Sequence, residues 1–134
     1  MRLSRRSEYA CLALIELASH YREGGYVKIR QIAETQGIPR EFLVQILLRL
    51  KGAGYVRSAR GASGGYQLAK PPEEVSVAEI VRLLDGALAP VGSVSRFFYD
   101  STPIEKSPKL MALFTEIRNH VARKLEKTTL KQLL

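Results

Sequence analysis

The chain has 134 residues, of which 46% are hydrophobic and 25% are charged. This is the composition of an ordinary folded domain, and it excludes an intrinsically disordered protein. There are 21 Lys and Arg residues against 13 Asp and Glu, for a net charge of +8. Residues 1–70 carry 12 basic and 5 acidic side chains, so nearly all of the excess lies in the first half. The asymmetry predicts a polyanionic partner there, the alternative being a basic surface that only aids solubility.

Cys11 is the only cysteine, so no disulfide can form within the chain, and a cytoplasmic protein is expected. Cys11 lies in the apolar run Tyr9–Ile15, where a buried thiol is the favoured interpretation and a reactive or metal-binding thiol is the alternative. Because that run is much shorter than the ~20 residues that a membrane helix needs, no membrane partner is expected.

The first elements in chain order are two helices. Residues 5–21 have an apolar face formed by Leu14, Leu17, Ala18 and Tyr21, with further apolar side chains on other sides, which indicates a helix buried on more than one side. Residues 28–36 repeat apolar positions with helical spacing and end at a glycine.

The stretch 39–66 contains the features on which the functional prediction depends. Pro39 is expected just inside a helix start, and Gly52 and Gly54 end that helix. Its predicted buried face is formed by Leu43, Ile46, Leu47 and Leu50. Since only residues 37–39 separate it from the preceding helix, the pair predicts a helix-turn-helix.

A β-hairpin is predicted next, with strands over 55–59 and 66–69 joined by a glycine-rich loop from Arg60 to Gly65. A helix followed by such a hairpin is typical of a DNA-reading helix and its wing. Ser76 and Glu79 then have capping-box spacing, which predicts a helix over 77–84.

The remaining residues divide into a loop and a long helix. Residues 87–107 show no periodicity and are expected to be a functional or mobile effector loop. The last helix is predicted over 109–127, and its stripe favours pairing with a second copy of the chain; the alternative is that it folds back on its own domain. The stripe consists of Leu110, Phe114, Ile117, Val121 and Leu125. The predicted fold is therefore mainly α with a small β-hairpin: a winged helix-turn-helix DNA-binding domain (1–86), the effector loop (87–107), and a dimerisation helix with its tail (108–134).

Catalysis finds no support in the sequence. His20 and His120 are far apart, and no motif of a hydrolase, metalloprotease or nucleotide-binding loop is present. The chain is predicted not to be an enzyme.

The predicted DNA contacts fall into base-reading and phosphate-binding groups. Arginine pairs with guanine and glutamine with adenine, while a valine methyl can meet a thymine methyl, so the reading helix offers Arg40, Val44 and Gln45. Arg60 at the wing tip suits a narrow minor groove. Phe42 is expected in the core, and a phosphate-facing aromatic is the alternative. The DNA-binding residues predicted are Arg2, Arg5, Arg40, Val44, Gln45, Arg49, Arg57, Arg60, Gly61, Ser63 and Gly64, with Arg6 as a further phosphate contact.

The sequence resembles the bacterial winged-helix regulators typified by IscR, NsrR and CymR. The matching motifs are Met1-Arg2-Leu3 with Tyr9-Ala10, the run from Leu43 to Leu50, and, most specifically, Arg60-Gly-Ala-Ser-Gly-Gly-Tyr66. The resemblance covers nearly the whole chain. It implies a dimer that binds an inverted repeat upstream of regulated genes.

The chain departs from the cluster-binding members of that family in one respect. Those members carry three cysteines in the loop that corresponds to 87–107, where this chain has none; Ser107 and Leu110 stand near the ligand positions. Iron–sulfur clusters need thiolates, so no conventional cluster and no other cofactor is expected. Val44 replaces a glutamate found in some cluster-responsive members, which suggests one fixed DNA specificity.

These observations predict a homodimeric, sequence-specific transcription regulator, expected to be a repressor, that responds to a small-molecule or protein effector. Two alternatives stay open at this point. One is a redox or metal sensor that uses Cys11 or an unusual ligand set including Glu8. The other is a protein–protein interaction module on a winged-helix scaffold.

Overall fold

The computed structural model describes all residues from 1 to 134 and consists mainly of helices with one antiparallel hairpin, as predicted. None of the helices combines the length with the apolar composition that a membrane-spanning helix requires. The elements in chain order are α1 (Arg5–Ser19), α2 (Ile29–Gln36), α3 (Arg40–Gly52), β1 (Val56–Ala59), β2 (Gly65–Leu68), α4 (Val77–Asp85) and α5 (Pro108–Lys127).

A single main core joins the first three helices, the hairpin, α4 and the tail after α5. The four apolar residues predicted for the buried face of α3 are all fully buried. Opposite them, α1 contributes Leu14 and Leu17, while the small side chains of Ala10 and Ala13 are also fully buried. Leu12 and Ile15 pack on the edge of this core, so α1 is covered on more than one side, as predicted.

The helix-turn-helix connection is made by one left-handed glycine. Gly37 ends α2 with φ of +67°, a conformation that costs glycine least, and the Ile38 amide donates to the Ala33 carbonyl at 3.0 Å. Ile38 is buried and fixes the turn against the core. Pro39 precedes the first turn of α3 as its cap, one position earlier than predicted.

Two side chains predicted to be buried are exposed. Tyr21 was assigned to the buried face of the first helix, but α1 ends at Ser19, and Tyr21 opens a separate short turn. Phe42 was expected in the core, but it is 46% exposed because it lies on the outer side of α3.

The hairpin is joined to the start of α2 by a further backbone pairing that was not predicted. Strand β1 pairs with β2 in the register Val56–Leu68 to Ala59–Gly65. Tyr66 then exchanges two backbone hydrogen bonds with Val27, at 2.7 and 2.8 Å. The wing is therefore fastened to the segment that leads into α2.

Helix α4 holds both ends of the chain. Its predicted capping box is present: Ser76 Oγ accepts from the Glu79 amide, and the Glu79 carboxylate accepts from the Ser76 amide. At its other end, the Asp85 carboxylate accepts from the Ser4 amide at 2.8 Å and from the Ser4 hydroxyl. The tail returns to the helix start, where the Leu130 amide donates to the Val75 carbonyl at 3.0 Å and the Leu130 side chain is buried in the main core.

Residues 87–107 are irregular, as predicted, and are only partly buried: Leu88 and residues 93–95 are buried, whereas residues 96–101 are exposed. Short 3₁₀ turns form at Gly92–Val94 and Pro103–Lys106. Val94 is buried, and its carbonyl accepts a hydrogen bond of 2.8 Å from Arg118 of α5. The part of this segment around Val94 therefore packs against α5.

The apolar stripe of α5 is covered unevenly by the chain itself. Leu125 packs against the small core cluster of Ala78, Val81 and Leu88, whereas Ile117 is 37% exposed. Leu113, beside the stripe, is 50% exposed. The uncovered apolar area thus belongs to the first part of the helix.

Candidate nucleic-acid interface

The outer face of α3 carries the side chains predicted to read bases. Arg40 is the first residue of the helix and is exposed, as is Gln45, while Val44 is half-buried between them and the core. Donors at the start of a helix are the ones that reach base edges when the helix enters a major groove. The first half of α3 therefore exposes a guanine-type reader, Arg40, and an adenine-type reader, Gln45, about 140° apart around the helix axis.

A concavity of about 470 Å³ lies between the start of α1 and this face of α3. It is lined by Arg6, Glu41, Phe42, Gln45 and Ile46. The structure thus brings Arg6 next to the reading helix. Glu41 was not predicted at the site, and Phe42 was considered there only as the alternative to a core position. Their spacing of four and three residues from Gln45 places both on the same helix surface as Gln45.

Phe42 is held in place by an aromatic contact with α1. Its ring centroid lies 5.6 Å from that of Tyr9, with the rings at 77°, an edge-to-face arrangement that is favourable for aromatic pairs. The exposed edge of Phe42 is therefore fixed beside Gln45 and supplies an apolar surface to the site.

The wing presents Arg60 at its exposed tip. Gly61 follows with φ of +94°, and its carbonyl accepts a hydrogen bond of 2.8 Å from Lys28 Nζ at the start of α2. Lys28 was not predicted to support the wing, because the contact joins residues distant in sequence. Ser63 is exposed on the same loop.

The glycines of the wing have an intramolecular function. Gly64 is buried, and a Cβ there would lie 2.2 Å from the Ala59 carbonyl oxygen. A Cβ on Gly65 would lie 2.4 Å from the Val27 carbonyl oxygen. Only glycine allows the loop to close on β1 and on Val27; a DNA contact at Gly64 stays a prediction.

The other arginines predicted to contact DNA are exposed, and three of them already interact with groups of the same chain. Arg57 donates to the Ala69 carbonyl at 3.2 Å, and Arg49 donates to the Leu83 carbonyl at 3.4 Å. Arg5 lies 3.8 Å from the Glu8 carboxylate, and Arg2 is exposed at the chain start. Each of these guanidinium groups retains further N–H donors, since arginine has five.

The arginine-bearing chain start is positioned by Asp85. Although burial opposes ionisation, the hydrogen bonds from Ser4 hold the pKa of Asp85 below its usual value, with help from the charge of Arg6. Ser7 Oγ, in the first turn of α1, is buried and has no hydrogen-bond partner. The ionised carboxylate therefore fixes the cap of α1 and, with it, the direction of the preceding residues.

The root of the wing is tied to α4. Tyr55, next to β1, donates its hydroxyl to Glu79 at 3.1 Å, and Lys70 Nζ lies 4.7 Å from the centre of the Tyr55 ring. Burial, followed by the charge and hydrogen bond of Glu79, raises the pKa of Tyr55 to about 12. The phenol thus remains a hydrogen-bond donor at neutral pH.

His20 forms a polar brace next to α2. Its Nδ1 and Nε2 lie 3.1 Å from the carboxylates of Glu23 and Glu16, and Gln36 of α2 donates to Glu16 at 3.0 Å. The pKa of His20 is raised mainly by the hydrogen bond to Glu23; burial opposes this, and Glu16 reinforces it.

Because His20 is hydrogen-bonded to Glu16 and Glu23, we expect the free energy of unfolding to depend on pH. Since the pKa of His20 is higher in the folded than in the unfolded chain, its contribution is complete below the unfolded value and is lost as the pH rises through the folded value. We expect the free energy of unfolding to decrease over that interval by less than about 1 kcal/mol, as for exposed ion pairs. Urea unfolding from pH 5.5 to 8.5 measures this, and His20→Gln should abolish the decrease. An unchanged decrease in the variant would contradict it.

The residues present do not fit an iron–sulfur cluster. The loop 87–107 contains no cysteine, and no group of three His, Cys, Asp or Glu side chains is placed to hold a metal ion. Cys11 is the only thiol, and burial, with a smaller contribution from Asp85, raises its pKa to about 11. A thiol protonated at neutral pH is a poor ligand and a poor nucleophile.

The whole chain matches a known family of regulators. The profile of the Rrf2 family, described as iron-dependent transcriptional regulators, matches residues 3–134. The chain belongs to the Rrf2 family. It is accordingly a DNA-binding regulator of transcription with a helix-turn-helix, and the contact of the α3 surface with DNA stays a prediction.

Individual relatives agree with this assignment. CymR of Bacillus subtilis is 32% identical over 133 residues, which cover 99% of this chain and 89% of CymR. The structure of CymR, described as the global cysteine regulator of that organism, has a TM-score of 0.80, covering 99% of this chain and 95% of the other. The structure of IscR from T. potens has a TM-score of 0.76 at 30% identity, covering 99% and 85%.

Proposed function

We propose that the protein is a cytoplasmic, homodimeric repressor that binds an inverted-repeat operator through α3 and the wing. The observation that carries the proposal is the exposure of Arg40 and Gln45 in the first half of α3, directly after the helix-turn-helix connection, with Arg60 exposed at the wing tip. A basic first half of the chain supports it, because phosphate contacts supply much of the affinity for DNA.

Selection of random duplex DNA on the purified protein tests sequence reading. We expect enrichment of an inverted repeat whose half-sites lie about one helical turn apart, since each protomer of a two-fold dimer contributes one reading helix. Affinity for the selected site should fall steeply with salt. Retention of unrelated sequences, or an affinity that is insensitive to salt, would contradict the proposal.

The proposed dimer interface is the uncovered first part of α5. Ile117 and Leu113 expose apolar surface there, and Leu110, Phe114 and Val121 of the predicted stripe are half-buried by the chain itself. A second copy of the same helix would cover this face by two-fold symmetry. Leu125 already packs within its own chain, so its part in the dimer is expected to be smaller.

A charge in the centre of this face should weaken the dimer. Ile117→Lys is expected to raise the dimer dissociation constant by about tenfold to a hundredfold, because it removes apolar contact and buries a charge without a partner. Sedimentation velocity over a dilution series measures this. Ala112→Lys is the matched control, since Ala112 is exposed on the opposite side of α5. Equal effects of the two substitutions would exclude this interface.

We further propose that the protein regulates without a conventional iron–sulfur cluster. The residues present do not supply the ligands of a cluster: the loop offers no thiolate, and Cys11 is half-buried and has a pKa raised to about 11, which keeps its thiol protonated. Anaerobically purified protein should contain no stoichiometric iron or sulfide and show no cluster absorption. The redox alternative is disfavoured for the same reason, since a thiol of this pKa reacts slowly. The signal is instead a small-molecule or protein effector acting on residues 87–107 or on α5.

A further inference from the structure

A second cationic surface lies at the C-terminal end of α5. An open concavity of about 660 Å³ is lined there by His120, Arg123, Lys124 and Lys127 on the helix side. The tail lines the other side of this concavity with Thr128, Gln132 and Leu133, of which only Leu133 is apolar. This volume is in the range of small-molecule sites.

The cations lining this concavity have no anionic partner. None of Arg123, Lys124 and Lys127 forms an ion pair, and no carboxylate lines the concavity. The acidic residue nearest in sequence is Glu126. Its carboxylate forms ion pairs with the guanidinium groups of Arg82 and Arg96 on another face of α5, at 2.7 and 2.6 Å. Glu73 and Glu74, on the turn packed against the tail, do not line it either.

A cluster of unpaired positive charges lowers the stability of the folded chain unless an anion binds to it. The spacings of these residues place them side by side on one helix surface, where like charges repel. The partial negative charge of a helix C-terminus offsets only part of the repulsion, because its influence is confined to the last turn.

Neutral donors are available beside the charges. Gln132 Oε1 accepts from the Thr129 amide at 2.9 Å, which fixes the side chain and leaves its amide hydrogens free to donate. Arg123 uses Nε on the Asn119 carbonyl at 3.3 Å, which leaves its two terminal nitrogens free. A guanidinium in this state can bind two oxygens of a phosphate side by side.

We propose that this concavity binds a small ligand that carries clustered phosphate groups. Arg123 holds one phosphate as a fork, Lys124 and Lys127 neutralise the charge, and Gln132 donates to a remaining oxygen. The assignment is independent of the proposed DNA interface, which lies on α3 and the wing.

Calorimetric titration with inorganic pyrophosphate at near-physiological salt tests the proposal on the full-length protein. We expect saturable binding with one ligand per chain, weakened at least tenfold in Lys124→Gln/Lys127→Gln. The matched control is Lys106→Gln/Lys109→Gln, which removes two exposed lysines from the other end of α5 and its preceding turn and should bind as the wild type does. Absence of saturable binding, or equal weakening in both double variants, would overturn the proposal.

A second titration distinguishes a free ligand from the phosphate backbone of DNA. The selected duplex is titrated into the same two double variants, and its affinity is expected to be unchanged in both. If the Lys124→Gln/Lys127→Gln variant alone lost DNA affinity and showed a shallower salt dependence, while pyrophosphate failed to bind the wild type, the concavity would be a DNA contact. The small-ligand proposal would then be wrong.

Discussion

Replacement of Gly65 by alanine is expected to lower the free energy of unfolding by about 3 kcal/mol or more. Gly65 has φ of +139°, which side chains with a Cβ rarely adopt, and the added methyl would lie 2.4 Å from the Val27 carbonyl oxygen. Val27 and Tyr66, the residue after Gly65, exchange two backbone hydrogen bonds, so the two segments cannot move apart without breaking that pairing.

Urea unfolding measures the loss, and Gly52→Ala is the control. Gly52 is the last residue of α3, and a Cβ there meets no atom within 4 Å. Because alanine is also the better helix former, the control is expected to be neutral or slightly stabilising. If the two variants were equally stable, the attachment of the wing to Val27 would not contribute as described.

The double variant Arg40→Ala/Arg60→Ala is expected to bind the selected operator about a thousandfold more weakly. Each arginine–base contact contributes about 2 kcal/mol, and the two side chains lie on separate elements, so their losses should nearly add. Fluorescence anisotropy with a labelled duplex at fixed salt measures this, with circular dichroism to confirm that the variant is folded.

The control for charge alone is Lys106→Ala/Lys109→Ala, which removes the same number of positive charges away from α3 and the wing. It should change operator affinity less than about threefold. A comparable loss in both double variants would mean that net charge, and not these two contacts, determines binding.

Local patterns were sufficient to predict the parts of the fold that depend on periodicity and capping. The i, i+3, i+4, i+7 spacing from Leu43 to Leu50 identified the buried face of α3, and Ser76 with Glu79 identified the start of α4. Both features are set by neighbours within one or two turns of the same helix, so the sequence alone contains the information.

Contacts between distant segments could not be predicted in this way. The pairing of Val27 with Tyr66 and the bond from Lys28 to the Gly61 carbonyl each join parts of the chain that only the fold brings together. Phe42 was misassigned for a related reason: whether a large aromatic on an amphipathic helix enters the core or packs against a half-buried ring at its edge depends on where Tyr9 lies.

Which residues contact DNA stays a prediction, and the structure adds the exposure of those residues and the side chains that support them. Arg40, Gln45 and Arg60 are exposed on the reading helix and at the wing tip, whereas the positions of Glu41 beside Gln45 and of Tyr55 on Glu79 required the structure. Supports of this kind are ordinary polar residues that become informative only when their partners are known.

Helix α4 has only nine residues, but the start of the chain and the tail after α5 are both attached at its two ends. Asp85 holds the arginine-bearing start of the chain, and the segment at Val75 and Ser76 holds the tail that follows α5. A local opening of α4 would release both ends at once, together with the Tyr55 anchor of the wing on Glu79. An event that unfolds or stabilises this one helix would therefore change the positions of the chain start, the wing and the tail after α5 in a single step.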